Sequence, residues 1–294
     1  MQHSWSAVSV LAAALLAITS AACGGSPTTP APPSPPAPPP VNALPSIDNI
    51  TVQGRRLRQP PRFADLRETV EVSANVRDAE TPAEELAYQW SATAGTFSGS
   101  GRTVTWTAPE AATTPTSVTI TLKLVESYGH PGGPKLFSQE VSGTQTVALH
   151  DSGREVGDMS RQFLTDFSTT SIKDWQVVMR NFKRSVCPVP GEFDDERQSV
   201  ENHYTNFTMH NYEIGPPTVS VNFGGACAAA NAVIPGDACA AARVMWDSTG
   251  PDGRGSTTGV DHLTAVYSSA DTRWWLCSSR YAADTTAAHG FYGR

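Results

Sequence analysis

Val118-Thr119-Ile120-Thr121-Leu122-Lys123-Leu124 alternates apolar and polar side chains without a break. Successive side chains of an extended chain point to opposite faces, so Val118, Ile120, Leu122 and Leu124 share one side. At 3.6 residues per turn the same four groups would scatter around a helix, so the stretch is a half-buried strand. The device repeats on both sides of it. Val70, Val72, Ala74 and Val76 share a face, as do Leu86, Tyr88 and Trp90, then Val104 and Trp106, with Ile50-Val52 as the first strand and Val147-Leu149 as the last. About seven short strands divided by Gly, Pro and Asp predict a two-sheet sandwich over residues 44–150.

The period changes after His150. Ser152-Gly153-Arg154-Glu155 reads as a capping box, followed by Val156, Met159, Phe163, Leu164 and Phe167 on one helical face. Ser171 can cap a second helix whose stripe is Ile172, Trp175, Val178, Met179 and Phe182, and which must stop by Pro188. A third helix is expected from Glu192 to about Tyr204, its acidic start complementing the helix dipole. Strand patterns follow at Thr208–Ile214, Thr218–Phe223, Ala240–Trp246, Val260–Tyr267 and Arg273–Tyr281. Helices first and antiparallel strands after predict an α+β domain over residues 151–294. The fold class expected for the whole chain is therefore multidomain, all-β followed by α+β.

Charge and cysteines narrow the setting. The formal net charge is -7, which argues against a nucleic-acid partner, since those need a dominant basic surface. Four of the five cysteines, Cys187, Cys227, Cys239 and Cys277, lie in the C-terminal part. An even set in an exported domain reads as two disulfides, with Cys227–Cys239 and Cys187–Cys277 the preferred pairs among three possible pairings. No C-x-x-C and no finger-like histidine spacing is present, so no metal and no cofactor are expected.

Met1–Ala22 has an apolar centre from Val8 to Ile18 and small residues before Cys23, the anatomy of a signal peptide. Ser20-Ala21-Ala22-Cys23 resembles the lipobox of bacterial lipoproteins, with Ser20 where leucine is usual. The resemblance implies a lipidated Cys23, a membrane partner through that lipid, and a place in the cell envelope, at the outer membrane or cell surface. Residues 23–43 would then carry the anchor and a tether. Residues 26–40 are mostly proline, which fixes φ and removes amide donors, so an extended segment of roughly 45 Å is expected over them.

Tyr88-Gln89-Trp90-Ser91-Ala92, Gly95-Thr96-Phe97-Ser98-Gly99 and Val104-Thr105-Trp106-Thr107-Ala108-Pro109 resemble the bacterial immunoglobulin-like and PKD-type repeats of surface proteins. The element order after His150 resembles the NTF2-like (SnoaL-like) cone fold. Leu263-Thr264-Ala265-Val266-Tyr267, a short turn and Arg273-Trp274-Trp275-Leu276-Cys277-Ser278-Ser279 are the closest echo of it. That resemblance implies a curved sheet wrapped around helices and a pocket.

The sequence holds no G-x-S-x-G, H-E-x-x-H or phosphate-cradling glycine loop. Family members that catalyse reactions use an Asp or His base inside the cone, which makes Asp166, His203, Tyr204, His210 and Tyr212 pocket candidates, with Asp261 and His262 opening a strand. Trp246, Trp274 and Trp275 are candidates for a ligand-binding surface. Asp78, Glu80, Glu84 and Glu85 read as a solvated acidic turn or a calcium loop. Arg55, Arg56, Arg58, Arg62 and Arg67 read as an exposed connection or a contact for anionic lipids or glycans.

The function expected first is a non-catalytic, membrane-anchored lipoprotein that binds or presents a glycan, small molecule or protein. A cone-pocket enzyme using general acid/base chemistry and a structural spacer in a surface assembly are the alternatives. For the anchor, Cys23→Ser should release the protein into the soluble fraction on cell lysis and fractionation. Retention with the membrane would exclude lipidation at that residue.

Overall fold

The computed structural model describes residues 38–229 and 232–284; the leader, Cys23 and the proline-rich stretch before residue 38 lie outside the described residues. Eight strands come first: β1 Ser46–Gln53, β2 Phe63–Asp65, β3 Thr69–Arg77, β4 Ala87–Ala92, β5 Thr96–Ser98, β6 Thr103–Thr107, β7 Thr116–Gly129 and β8 Lys135–His150. They form two four-stranded sheets, in the orders β1-β3-β6-β5 and β2-β8-β7-β4. The alternating residues do what their period demands. Val70, Val72, Ala74, Val76, Val104 and Trp106 of one sheet share a buried core with Val118, Ile120, Leu122, Leu124, Val147 and Leu149 of the other. Gly95 makes the turn beneath Trp106 possible: it has φ +81°, and a Cβ there would lie 2.6 Å from the indole Nε1.

The expected last strand was Val147–Leu149, yet β8 runs 16 residues and pairs with β7 along nearly its whole length. Lys135–Glu140 lacks an apolar alternation because its outer half is exposed, so the periodicity could not reveal it.

Three helices follow: α1 Ser152–Ser168, α2 Trp175–Val178 and α3 Pro190–Asn206. The cap of α1 is one residue earlier than expected. Asp151 accepts the Arg154 amide at 3.2 Å, and Glu155 Oε1 accepts the Asp151 amide at 3.0 Å. The second helix is a single turn capped by Asp174, not the helix over Ile172 to Phe182 that the apolar stripe suggests. The chain after it is committed to the sheet instead: the Asn181 carbonyl accepts the Leu276 amide at 2.8 Å.

The remaining strands are β9 Thr208–Ile214, β10 Thr218–Ala229, β11 Ala232–Gly250, β12 Gly253–Ser268 and β13 Arg273–Ala283. They make one five-stranded antiparallel sheet, β10-β11-β12-β13, with β9 also paired to β11. Both disulfides join the cysteines as expected. Cys187–Cys277 ties the connection between α2 and α3 to β13, and Cys227–Cys239 ties β10 to β11 beside a bulge between Val221 and Gly225. α1 and α2, the helix α3 and the sheet enclose a second core that includes Val156, Phe163, Leu164, Val200, Leu263, Trp274 and Leu276. The protein is thus β-rich, with several sheets and two cores.

The arginine-rich stretch joins those cores. β2 is parallel to the end of β8, so its neighbours face opposite ways: Ala64 enters the first core and Phe63 the second. The Phe63 ring stacks on His150 at 4.9 Å and meets Phe223, Tyr267 and Trp274 edge-on. Arg56 bridges Asp65 and Glu68 at 2.7 Å each and lies over the Phe63 and Phe223 rings. Asp65 Oδ1 accepts both the amide and hydroxyl of Ser152, at 2.9 and 2.6 Å, satisfying an amide of the first α1 turn from the neighbouring sheet. Arg58 donates to the Gly224 carbonyl at 2.6 Å. Arg58, Arg62 and Arg67 all have positive φ, a conformation that costs about 1–2 kcal/mol for a side-chain-bearing residue and persists where surrounding contacts hold it. Arg55, Arg58, Arg62 and Arg67 are exposed, as expected of a connection, while Arg56 acts as a clasp between the two cores.

Deleting the Phe63 ring removes a side chain that is 1 % exposed. Phe63→Ala should cost about 3–5 kcal/mol and should split urea unfolding into separate transitions followed by Trp fluorescence and far-UV circular dichroism. A single transition shifted by less than 1 kcal/mol would show that the two cores are not coupled through this ring.

Candidate functional site

A cavity of about 600 Å³ opens between α3, the second half of α1 and strands β11 to β13. Its walls are aromatic: Phe163 and Phe167 from α1, Phe207 after α3, Trp246 from β11 and Tyr281 from β13. Its polar groups are Glu196 and His203 on α3, Asp261 on β12 and Ser279 on β13, with Asp195, Gln198, Ser199, Asn202 and Arg280 around them.

Local sequence explains how these groups meet. On α3, Phe193, Glu196, Val200 and His203 recur at intervals of three and four, so all four are buried on one face. On β12, Asp261 sits between Gly259 and Leu263 in the inward phase of the strand, opposite Tyr281. Ser279 then serves both carboxyls. Its amide donates to Glu196 Oε2 at 2.9 Å and its hydroxyl to Asp261 Oδ1 at 2.5 Å.

Burial raises the pKa of both carboxyl groups. For Glu196 the loss of hydration comes first and the neighbouring Asp261 charge adds to it, outweighing the Ser279 amide; its pKa is pushed up to about 8. For Asp261 burial outweighs the hydrogen bonds from Ser279 and the Arg280 backbone, giving about 6. Both carboxyls therefore hold their protons to higher pH than a solvated carboxyl does, and they titrate as a pair.

His203 is 6 % exposed, and burial pushes its pKa down to about 4 against the opposing hydrogen bond with the Phe167 backbone. The ring is neutral, stacked on Phe167 at 3.9 Å and on Phe207 at 5.6 Å. Its Nε2 is buried and has no hydrogen-bond partner among the described residues. Trp246 forms the apolar floor, its indole N–H donating to Ser168 Oγ at 2.6 Å.

Of the residues singled out from sequence, His203, Asp261 and Trp246 line this cavity. The other candidates lie elsewhere. Asp166 is buried but pairs with Arg180 at 2.7 Å and accepts from Gln162. Tyr204 packs on the second core. His210 donates to or accepts from Thr249 at 2.6 Å and, with Tyr212, borders a shallow depression outside the cavity. His262 follows Asp261 on the strand and so points to the other face. Trp274 is a core residue at 1 % exposure, so it offers no ligand surface. Trp275 donates to Asp271 at 3.0 Å and covers the Cys187–Cys277 bridge under Arg273.

The acidic turn is also accounted for. Asp78 accepts the Glu80 and Thr81 amides at 2.9 and 2.6 Å, Glu80 accepts the Ala43 amide at 3.1 Å, and Glu85 pairs with Lys135 at 2.8 Å.

Sequence reasoning missed Glu196, Ser279 and Tyr281. Glu196 carried a signal: a carboxyl at the apolar phase of α3, between Phe193 and Val200. Ser279 carried none, because its role depends on pairing with β12. No protein-family model matches the chain, and no curated protein matches it in sequence.

The raised Glu196 pKa fixes a sign. A carboxyl whose folded pKa exceeds its unfolded value binds its proton more tightly when native, so stability falls as pH rises from about 4.5 to about 8. His203 acts oppositely, lowering stability as pH falls from about 6.5 to about 4. Glu196→Gln should remove the alkaline decline and be the more stable protein at pH 8.5, by on the order of 1–3 kcal/mol in urea melts. An unchanged decline in the variant would show that Glu196 is not the group responsible.

Proposed function

We propose that the chain is an exported, lipid-anchored envelope protein whose C-terminal half, an NTF2-like domain on an immunoglobulin-like support, binds a small organic molecule in the cavity beneath α3. One observation carries this reading: an aromatic-walled space of about 600 Å³ that gathers two buried carboxyls and an imidazole. Such a space has the size of a small-molecule site, and its lining joins aromatic walls to convergent polar groups in comparable measure. The export component draws support from the two disulfides, which persist in oxidising compartments. The clasp at Arg56 and Phe63 supports a presenting role, because it holds the cavity on a fixed base.

A catalytic reading has one observation in its favour. Glu196 and Asp261 face one cavity, and burial raises both carboxyls above the usual range, which is a setting that general acid/base chemistry uses. In that case Asp261 would take a proton and Glu196 would give one.

Ser199 lies at the exposed rim of the cavity, so a large side chain there would close it without disturbing the core. Saturation-transfer NMR with indole, phenol and 2-naphthol should show contacts that Ser199→Trp removes, with Trp246 and Tyr281 resonances shifted in the unmodified protein. Contacts that survive Ser199→Trp would place binding elsewhere. Turnover would appear as enzyme-dependent deuterium exchange at an acidic C–H of a bound probe, lost in Glu196→Gln.

A further inference from the structure

Resting on the reading of this cavity as a small-molecule site, we propose that its ligand is a protonated amine carried on a flat apolar body, held by Glu196, Asp261 and His203 Nε2 within the aromatic walls.

The polar groups of the deep site are acceptors or acids. His203 Nε2 is buried and unpartnered among the described residues, and with the proton of the neutral ring on Nδ1 it presents a lone pair. A buried acceptor without a partner costs free energy unless a ligand supplies the hydrogen. Among the described residues Asp261 is held by the Ser279 hydroxyl and the Arg280 backbone and pairs with no cationic side chain. The one cationic side chain on the lining, Arg280, is already paired with Glu192 and lies 3.9 Å from Asp195. Two buried carboxyls and an imidazole, with the Arg280 guanidinium drawn to Glu192, match an ammonium, which offers three N–H donors and a positive charge. The rings of Phe163, Phe167, Phe207, Trp246 and Tyr281 complete the match, since aromatic faces attract a cation and stack on a flat body. An anionic ligand would meet Asp261 directly, and a neutral one would leave its charge buried and unpaired.

The site also predicts proton release. Groups facing Glu196 are Asp195, Glu192 and His203 on its own helix, Asp261 on β12, and Arg280 and Tyr281 on β13, while α1 contributes Phe163 and Phe167. Two carboxylates cannot both ionise cheaply in this setting without a cation between them. An ammonium supplies one, so Glu196 gives up its proton to solvent when the amine binds, and affinity climbs with pH.

Tryptamine, tryptophol and indole-3-acetate share one ring system and differ in head charge, so titration calorimetry of the full chain with each separates the terms. Tryptamine should bind at least tenfold more tightly than tryptophol at pH 7.5, with indole-3-acetate weakest. Titrations in two buffers of different ionisation enthalpy should show a proton released with tryptamine only. Its affinity should rise severalfold from pH 6.5 to 8.5, and Glu196→Gln should flatten that rise and abolish the release while its melting curve shows it folded. Equal binding of tryptophol and tryptamine would overturn the cation inference yet leave the cavity a binding site. A tryptamine affinity insensitive to pH and to Glu196→Gln would overturn it too, as would failure of tryptamine to bind where indole does.

Discussion

Phe63 sits in a three-residue strand that belongs to one sheet, while its ring belongs to the core of the next. Much of the architecture depends on that division. Because adjacent residues of a strand point to opposite faces, β2 can place Ala64 and Phe63 in different cores with no linker between them. β8 runs straight through His150 into the Asp151 cap, and α1 begins with its Ser152 amide and hydroxyl held by Asp65. The direction of α1, and with it the position of Phe163 and Phe167 on the cavity wall, is set by contacts to the preceding sheet.

The cavity itself is a place where the fold departs from its own economy. Elsewhere the second core is filled with Phe, Val, Leu and Trp, yet α3 places Glu196 and His203 on its apolar face and β12 places Asp261 in its inward phase. Burying these groups costs hydration, visible in the raised carboxyl pKa values and the lowered imidazole one. Ser279 recovers part of the cost by donating to both carboxyls. Among the described residues nothing answers His203 Nε2. Polar groups tolerated at such a cost are the reason for reading the cavity as a binding site rather than a packing flaw.

Much of this was legible in the residues. Alternation located the inward faces of β3, β6 and β7, and the bounds of β9 matched their expectation, because in each a single apolar period is the whole signal. The second helix failed for a physical reason. Its stripe from Ile172 to Phe182 suits a helix, but the backbone at Asn181 pairs with Leu276 and Cys187 is bonded to Cys277, so the sheet took residues that local pattern assigned to helix. Arg56 departed from its expectation too, since a charge on a loop says nothing about which carboxylates fold against it, while Arg55, Arg58, Arg62 and Arg67 are exposed as expected.

By itself the sequence determined the order of strands and helices and which face of most strands is buried. Those properties are local: they follow from side-chain periodicity and from turn and cap chemistry along a few residues. The two disulfide pairings, left open among three by spacing, were decided by tertiary structure. So was the meeting of Glu196, Asp261, His203 and Ser279, which lie on one helix and two strands as many as 83 residues apart. Proximity between such residues is produced by strand pairing and helix docking, and no periodicity along the chain encodes it.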